Sequence, residues 1–302
     1  MAPDVAMRYG SPHERSHHPP RAIAPAVLAS HARFVTRSRG ADVADESRSA
    51  DADDMPPVPT GYTTPLRLKE LRPDEVADAL NRDPRLLIPV GTCEQHGPHL
   101  PMGVDTIIVE RLADDLSAEL RILRAPTVEY GVNTDHERVV PGNATLRRKT
   151  LLRALNDLTD AWEAGGVREF VFLTAHGHEG HQEALSTVIT KGARVRVVDI
   201  LAINLSDLTV SGLGPLHGDE VDTSLLLYLA PSLVKMELAQ DYMMPPEALG
   251  RYRRQSLKVP RGSAGSIGRP SVASAETGKA IFARIYARIR DRILLAPPPA
   301  DD

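Results

Sequence analysis

The chain has 302 residues, 42% of them hydrophobic and 25% charged, which suffices for one sizeable buried core and is ordinary for a globular protein. A formal net charge of −4 excludes general attraction to nucleic acid or to an anionic membrane, and no run reaches the roughly 18 to 20 apolar residues of a membrane span. The single cysteine, Cys93, excludes an intrachain disulfide framework and fits a reducing cytoplasm.

Residues 1 to about 60 are rich in Arg, Ser, His, Pro and Asp and lack sustained apolar periodicity, so they read as a disordered N-terminal extension. This segment has no apolar core of a secretory signal; Ile23 to Val35 is its one candidate helix, and His13, His17 and His18 read as solvated. From residue 61 the pattern alternates. Pro73 to Asn81 predicts a helix, Leu86 to Gly91 a strand and Thr106 to Leu120 a helix with Ile107, Ile108, Leu112, Leu116 and Leu120 at helical spacing. Ile122 to Val128 predicts a strand, Arg147 to Ala164 a helix closed by Gly165-Gly166, Glu169 to Thr174 a strand and Gly180 to Thr190 a helix. Val195 to Leu201 reads as a strand, Val221 to Ala230 as a helix stopped by Pro231, and Ala273 to Leu295 as a long amphipathic helix. This alternation predicts one α/β domain over 61–296, a three-layer α/β/α arrangement with a mostly parallel sheet, followed by a disordered tail at 297–302.

Two strand ends carry chemistry. The run Glu94-Gln95-His96-Gly97-Pro98-His99-Leu100-Pro101-Met102-Gly103-Val104-Asp105 follows the Leu86 strand, and ligands gather in the crevice beyond the carboxyl ends of parallel strands. Glu94 and His96 are two apart, so an extended chain points both side chains the same way. Asp105 comes back after a Pro- and Gly-containing turn. Carboxylates with an imidazole favour zinc, manganese or iron over calcium. A second cluster, His176-Gly177-His178-Glu179-Gly180-His181, ends the Glu169 strand and would sit at the same crevice. Cys93 beside Glu94 reads as a small buried hydrophobe rather than a thiol ligand or nucleophile.

These residues together resemble the creatininase family of amidohydrolases. The resemblance rests on Glu94 to Asp105, Tyr130-Gly131 with His136, Pro141-Gly142, His176-Gly177 and His217 to Ser224. It continues through Gly265-Ser266-Ile267-Gly268-Arg269-Pro270-Ser271, Ala273 and Gly278, and spans about residues 62 to 296. It implies a creatininase-like fold and two divalent metal ions, zinc, manganese or iron, bridged by Asp105. Glu94 and His176 then serve one metal and His96 the other. The family's last ligand is a glutamate, for which this chain offers Asp222 or His178, with Glu179 and Glu220 as further candidates. Thr174-Ala175 replaces the usual Asn before the Gly-His, and Asn143 replaces the usual Thr after Gly142.

The activity so implied is hydrolysis of a C–N amide bond, cyclic or not, of a small molecule. Two metals about 3.5–4 Å apart activate a shared water as hydroxide and stabilise the developing oxyanion. His217 matches the residue that protonates the leaving nitrogen, and His136 is read as substrate-contacting or proton-handling, or as a turn residue. His99 and His181 are read as lying behind the ligands or facing solvent. Deformylation of a formamide, cleavage of a short peptide, or a binding role after loss of one metal are the alternatives. The family implies a homo-oligomer, often a hexamer. The cations of the loop from Arg251 to Pro260 are read as solvated.

Overall fold

The computed structural model describes residues 64–134, 140–255, 259–260 and 262–296. The N-terminal extension with its candidate helix, the tail at 297–302 and His136 lie outside the described residues. Four strands, β1 (Arg85–Pro89), β2 (Leu123–Arg124), β3 (Glu169–Thr174) and β4 (Arg194–Asp199), form a parallel sheet in the order β2-β1-β3-β4.

Alternate strand residues face opposite layers. Leu87, Val171 and Leu173 pack against α2 (Val104–Leu120), α5 (Glu220–Leu229) and α7 (Ala275–Ile289). Leu86, Ile88, Phe170 and Phe172 pack on the other side against α1 (Pro73–Arg82), α3 (Arg148–Ala164) and α4 (Glu179–Ser186). The sheet is therefore the middle of the three-layer α/β/α arrangement that the alternation predicts. Phe170, Phe172 and Phe282 are wholly buried, each worth roughly 1.5–3 kcal/mol in removed apolar surface.

Strand order places the functional crevice. From β1 the chain crosses to β2 on one side, and from β3 it crosses to β4 on the other, so the connections diverge between the adjacent strands β1 and β3. Their carboxyl ends open onto the crevice between these diverging connections, which is where ligands bind in such sheets. The Glu94 loop leaves β1 and the His176 loop leaves β3, so two segments about 80 residues apart in sequence meet there.

Several elements differ from the sequence expectation. The strand expected over Ile122 to Val128 shrinks to two residues because Pro126 donates no N–H; Val128 regains only a single bridge to Val90. Arg124 of that edge strand is buried and pairs with Glu110 at 3.0 Å and Asp114 at 3.2 Å. The helix expected to Thr190 stops at Ser186, where the β-branched run Thr187-Val188-Ile189-Thr190 begins and Thr187 Oγ1 donates to the Glu183 carbonyl. The last helix starts at Ala275, capped by Ser274 Oγ accepting from Thr277 N–H, and ends in a π-turn over Arg290–Leu294. A helix absent from the sequence reading, α6 (Pro246–Gln255), takes up the first part of the segment read as a solvated loop.

Candidate metal centre

Asp105 sits in the first turn of α2, where unpaired backbone N–H groups and the helix dipole favour an anion. Thr92 Oγ1 donates to its Oδ2 at 2.6 Å, fixing the carboxylate plane. His96 Nε2 lies 3.6 Å from Asp105 Oδ1, and His176 Nδ1 lies 3.2 Å from Asp105 Oδ2 and 3.0 Å from Glu94 Oε2. One carboxylate thus stands between two imidazoles. Glu94, His96, Asp105 and His176 are all buried.

Backbone carbonyls set the tautomers. A carbonyl only accepts, so His96 Nδ1–H donates to the Glu94 carbonyl (3.1 Å) and His176 Nε2–H donates to the Val132 carbonyl (3.1 Å). The remaining nitrogens, His96 Nε2 and His176 Nδ1, face the carboxylates and are the ones left to take a proton or a metal ion. Imidazoles that ligate metals are oriented by just such outer hydrogen bonds. Glu94, Asp105 and His176 form one group with ligand atoms within 4.8 Å of one another, and Glu94, His96 and His217 form another.

The electrostatics call for positive charge. Burial works against protonating His96, yet the Asp105 carboxylate, helped by Asp222 and Glu94, pulls its pKa up to about 10. Burial likewise opposes the His176 cation, and Glu94 and Asp105 overcome it, raising that ring well above 6.5. Burial, with repulsion from Asp105 and Glu94, pushes Asp222 up to about 6 against the pull of His96. Buried carboxylates crowded this closely need cations among them. The donor set of carboxylates and neutral imidazoles fits zinc, manganese or iron.

The other expected residues fall as follows. Asp222, in the first turn of α5, is buried and accepts from Gly218 N–H at 2.8 Å through Oδ2. Gly218 has φ +60, and a Cβ there would lie 2.3 Å from the His96 carbonyl, so only glycine lets this turn approach the loop. His178, half-buried at the N-cap of α4, stacks on His176 at 5.9 Å. Neither joins the two groups of converging ligand atoms. Glu220 is occupied by Val210 N–H and Ser211 N–H (2.6 and 2.8 Å), and Glu179 is exposed. His217 stacks on His96 at 4.3 Å, with its Nε2–H donating to the Gln95 carbonyl at 2.7 Å.

His99 and His181 are buried rather than solvated. His99 Nε2 meets Thr223 Oγ1 at 2.9 Å, and burial together with His96 pushes its pKa down to about 4. Cys93 is half-buried, its thiol donating to the Gly142 carbonyl at 3.3 Å, and Asn143 Oδ1 accepts from Gln95 N–H at 2.8 Å, tying down the Glu94 loop.

A cavity of about 320 Å³ opens over these groups. Beyond the expected residues it is lined by Thr134, Asp199, Leu201, Ala202, Pro215, Tyr252 and Val259. Sequence reading missed Asp199 and Tyr252. An acid closing the apolar run at Val195 to Val198 was the available signal for Asp199; Tyr252 depends on α6.

Fold and crevice together define the class, a three-layer α/β protein with buried carboxylates and imidazoles at the carboxyl edge of its sheet. The family model described as creatinine amidohydrolase matches residues 69–293, and the chain belongs to this creatininase family of amidohydrolases. A mycofactocin precursor peptide peptidase of Mycobacterium tuberculosis is 30% identical over 235 residues, covering 72% of this chain and 88% of the relative. A 3-dehydro-scyllo-inosose hydrolase of Thermotoga maritima is 29% identical over 197 residues, 61% of each chain. A solved creatinine amidohydrolase shares the fold with TM-score 0.65 and 23% identity over 79% of this chain and all of its own; similar solved structures include a manganese creatininase and a mutant creatininase of Zn-Zn type.

Proposed function

We propose that the chain is a metal-dependent amidohydrolase cleaving a C–N bond in a small molecule, with two divalent ions in the crevice. The observation that carries this reading is Asp105 set between two imidazoles, each with one ring nitrogen turned inward because a backbone carbonyl holds the other. In this assignment Asp105, Glu94 and His176 would hold one ion, and Asp105 with His96 would hold the other. Asp222 is the first choice for the remaining ligand and His178 the second.

A divalent pair supplies Lewis-acid polarisation of the scissile carbonyl and a water acidified toward neutrality. The chain's own residues orient and protonate. The Gln95 carbonyl holds the His217 ring beside His96, at the cavity wall, where it can pass a proton to the leaving nitrogen. Leu201, Ala202, Pro215, Leu216 and Val259 supply the apolar part of a mixed wall. Cleavage of a short peptide is the second reading, favoured by the mycobacterial relative. A homo-oligomer in the cytoplasm belongs to the same proposal, and light scattering of the purified protein gives its mass.

Elemental analysis of purified wild type and Glu94→Gln, with an amide, formamide and short-peptide screen, tests the reading. The expected result is about two ions per wild-type chain with amidase activity, and loss of metal and activity together in the variant. Glu94→Gln keeping full metal content and full activity refutes the site.

A further inference from the structure

Asp199 is the last residue of β4, and its carboxylate opens into the same cavity as Glu94, His96, Asp105 and His176. Leu201 N–H holds Oδ1 from behind at 3.0 Å, while Oδ2 lies on the side of Gly177, another wall residue. The carboxylate has no side-chain hydrogen bond or ion pair among the described residues. Leu201, Ala202 and Pro215 line the cavity beside it, and no Lys or Arg is among the described lining residues. Burial and Asp105 oppose this carboxylate while backbone N–H groups and the charge of His176 favour it, and a cationic group reaching Oδ2 from the cavity adds a charge-assisted hydrogen bond stronger than one in water.

We propose that Asp199 selects the substrate by pairing with a positively charged nitrogen, an ammonium or guanidinium group, on the part remote from the scissile C–N bond. This rests on the amidohydrolase reading above. A substrate whose remote end is a carboxylate meets an unneutralised anion and is rejected, and one whose end is a methyl group leaves Asp199 unpaired. Both penalties fall on the wrong substrate, which is how a polar group in a pocket discriminates most strongly.

Calorimetric titration of the zinc-loaded protein with alkyl hydroxamates tests this without turnover, because the hydroxamate chelates metal and the tail reaches the wall. The probes are ω-amino hydroxamates with two to four methylenes and their methyl-terminated and carboxylate-terminated isosteres. Wild type is expected to bind at least one amine at least about tenfold more tightly than its methyl isostere, about 1.4 kcal/mol, and the carboxylate most weakly. In Asp199→Asn the amine-to-methyl ratio falls to near one, and Asp199→Lys makes the carboxylate probe the tightest; equal zinc content in the three proteins shows that the site is intact. Equal affinities for amine and methyl probes in wild type, or a preference surviving in Asp199→Asn, overturns the role of Asp199 alone. Failure of the protein to take up zinc or to bind any hydroxamate overturns the amidohydrolase reading, and this inference with it.

Discussion

Replacement of His181 tests how the crevice is held together. The ring is wholly buried under the loop that carries Val132. Val132 N–H donates to Nδ1 at 3.2 Å, so Nε2 carries the proton and donates to Thr174 Oγ1 at 3.1 Å; the same oxygen accepts from His176 N–H at 3.2 Å. His181→Leu leaves a buried N–H unmatched, about 1–3 kcal/mol, and removes a hydrogen bond worth about 1 kcal/mol, so a loss of about 2–4 kcal/mol is expected. His181→Asn regains an acceptor for Val132 and loses about half as much. Burial first, then the neighbouring His176, push the His181 pKa well below 6.5, so the folded ring stays neutral while the unfolded one takes a proton. Stability from this residue is therefore present above about pH 6.5 and lost as pH falls, by about 1.4 kcal/mol per pH unit and about 2 kcal/mol from pH 7 to pH 5. A cation in the crevice pushes the same way. Urea unfolding of wild type and His181→Asn at both pH values measures the difference: the deficit of the variant, about 1–2 kcal/mol at pH 7, should vanish or change sign at pH 5. Parallel pH profiles refute the assignment of a neutral, two-bonded His181.

Two further outcomes follow from the packing and the ligand set. Gly278 of α7 lies so close to α5 that a Cβ would stand 1.8 Å from the Ser224 carbonyl. Alanine gains about 1 kcal/mol of helix propensity, yet forcing these backbones apart costs more, so Gly278→Ala should lower the calorimetric melting temperature by several degrees; an unchanged or raised value contradicts the close crossing. Asp222 is buried and coupled electrostatically to His96, Asp105 and Glu94, whereas His178 caps α4 at the edge of the cavity. Elemental analysis should therefore find one metal ion lost in Asp222→Ala and none in His178→Ala, and the reverse result moves the last ligand to His178.

The layered fold was legible because periodicity is local: apolar runs at Leu86 and Phe170 and the helical spacing from Ile107 to Leu120 each report their own element. Strand order is not local, and neither is the length of β2, which Pro126 cuts short although the flanking residues favour a strand. In the site, Glu94, His96, Asp105 and His176 were legible because their chemistry is concentrated in two short loops. Asp199 and Tyr252 come from a strand end and a helix whose nearness to those loops depends on the sheet order and on α6. Glu220 shows the opposite error. As a carboxylate two residues before Asp222 it reads as a further candidate ligand, and only the structure reveals that both its oxygens are taken by backbone N–H groups of a neighbouring loop.

On the proposed ligand set, the turn before α5 would let a departure from the family's last ligand fit the centre. The four residues of the core set are positioned by backbone: Asp105 by the first turn of α2, His96 and His176 by carbonyls of residues 94 and 132, Glu94 by the loop leaving β1. None of these restraints passes through Asp222 or His178. Asp222 approaches from a separate direction, in the first turn of α5, and Gly218 lets its turn close onto the His96 carbonyl. A carboxylate one methylene shorter than glutamate reaches the same centre if the turn before the helix comes nearer, and the glycine at φ +60 permits that approach. Ligand length and loop geometry thus act as one variable. A residue with a Cβ at position 218 should weaken metal binding at the Asp222 side while leaving the Glu94 and His176 side filled.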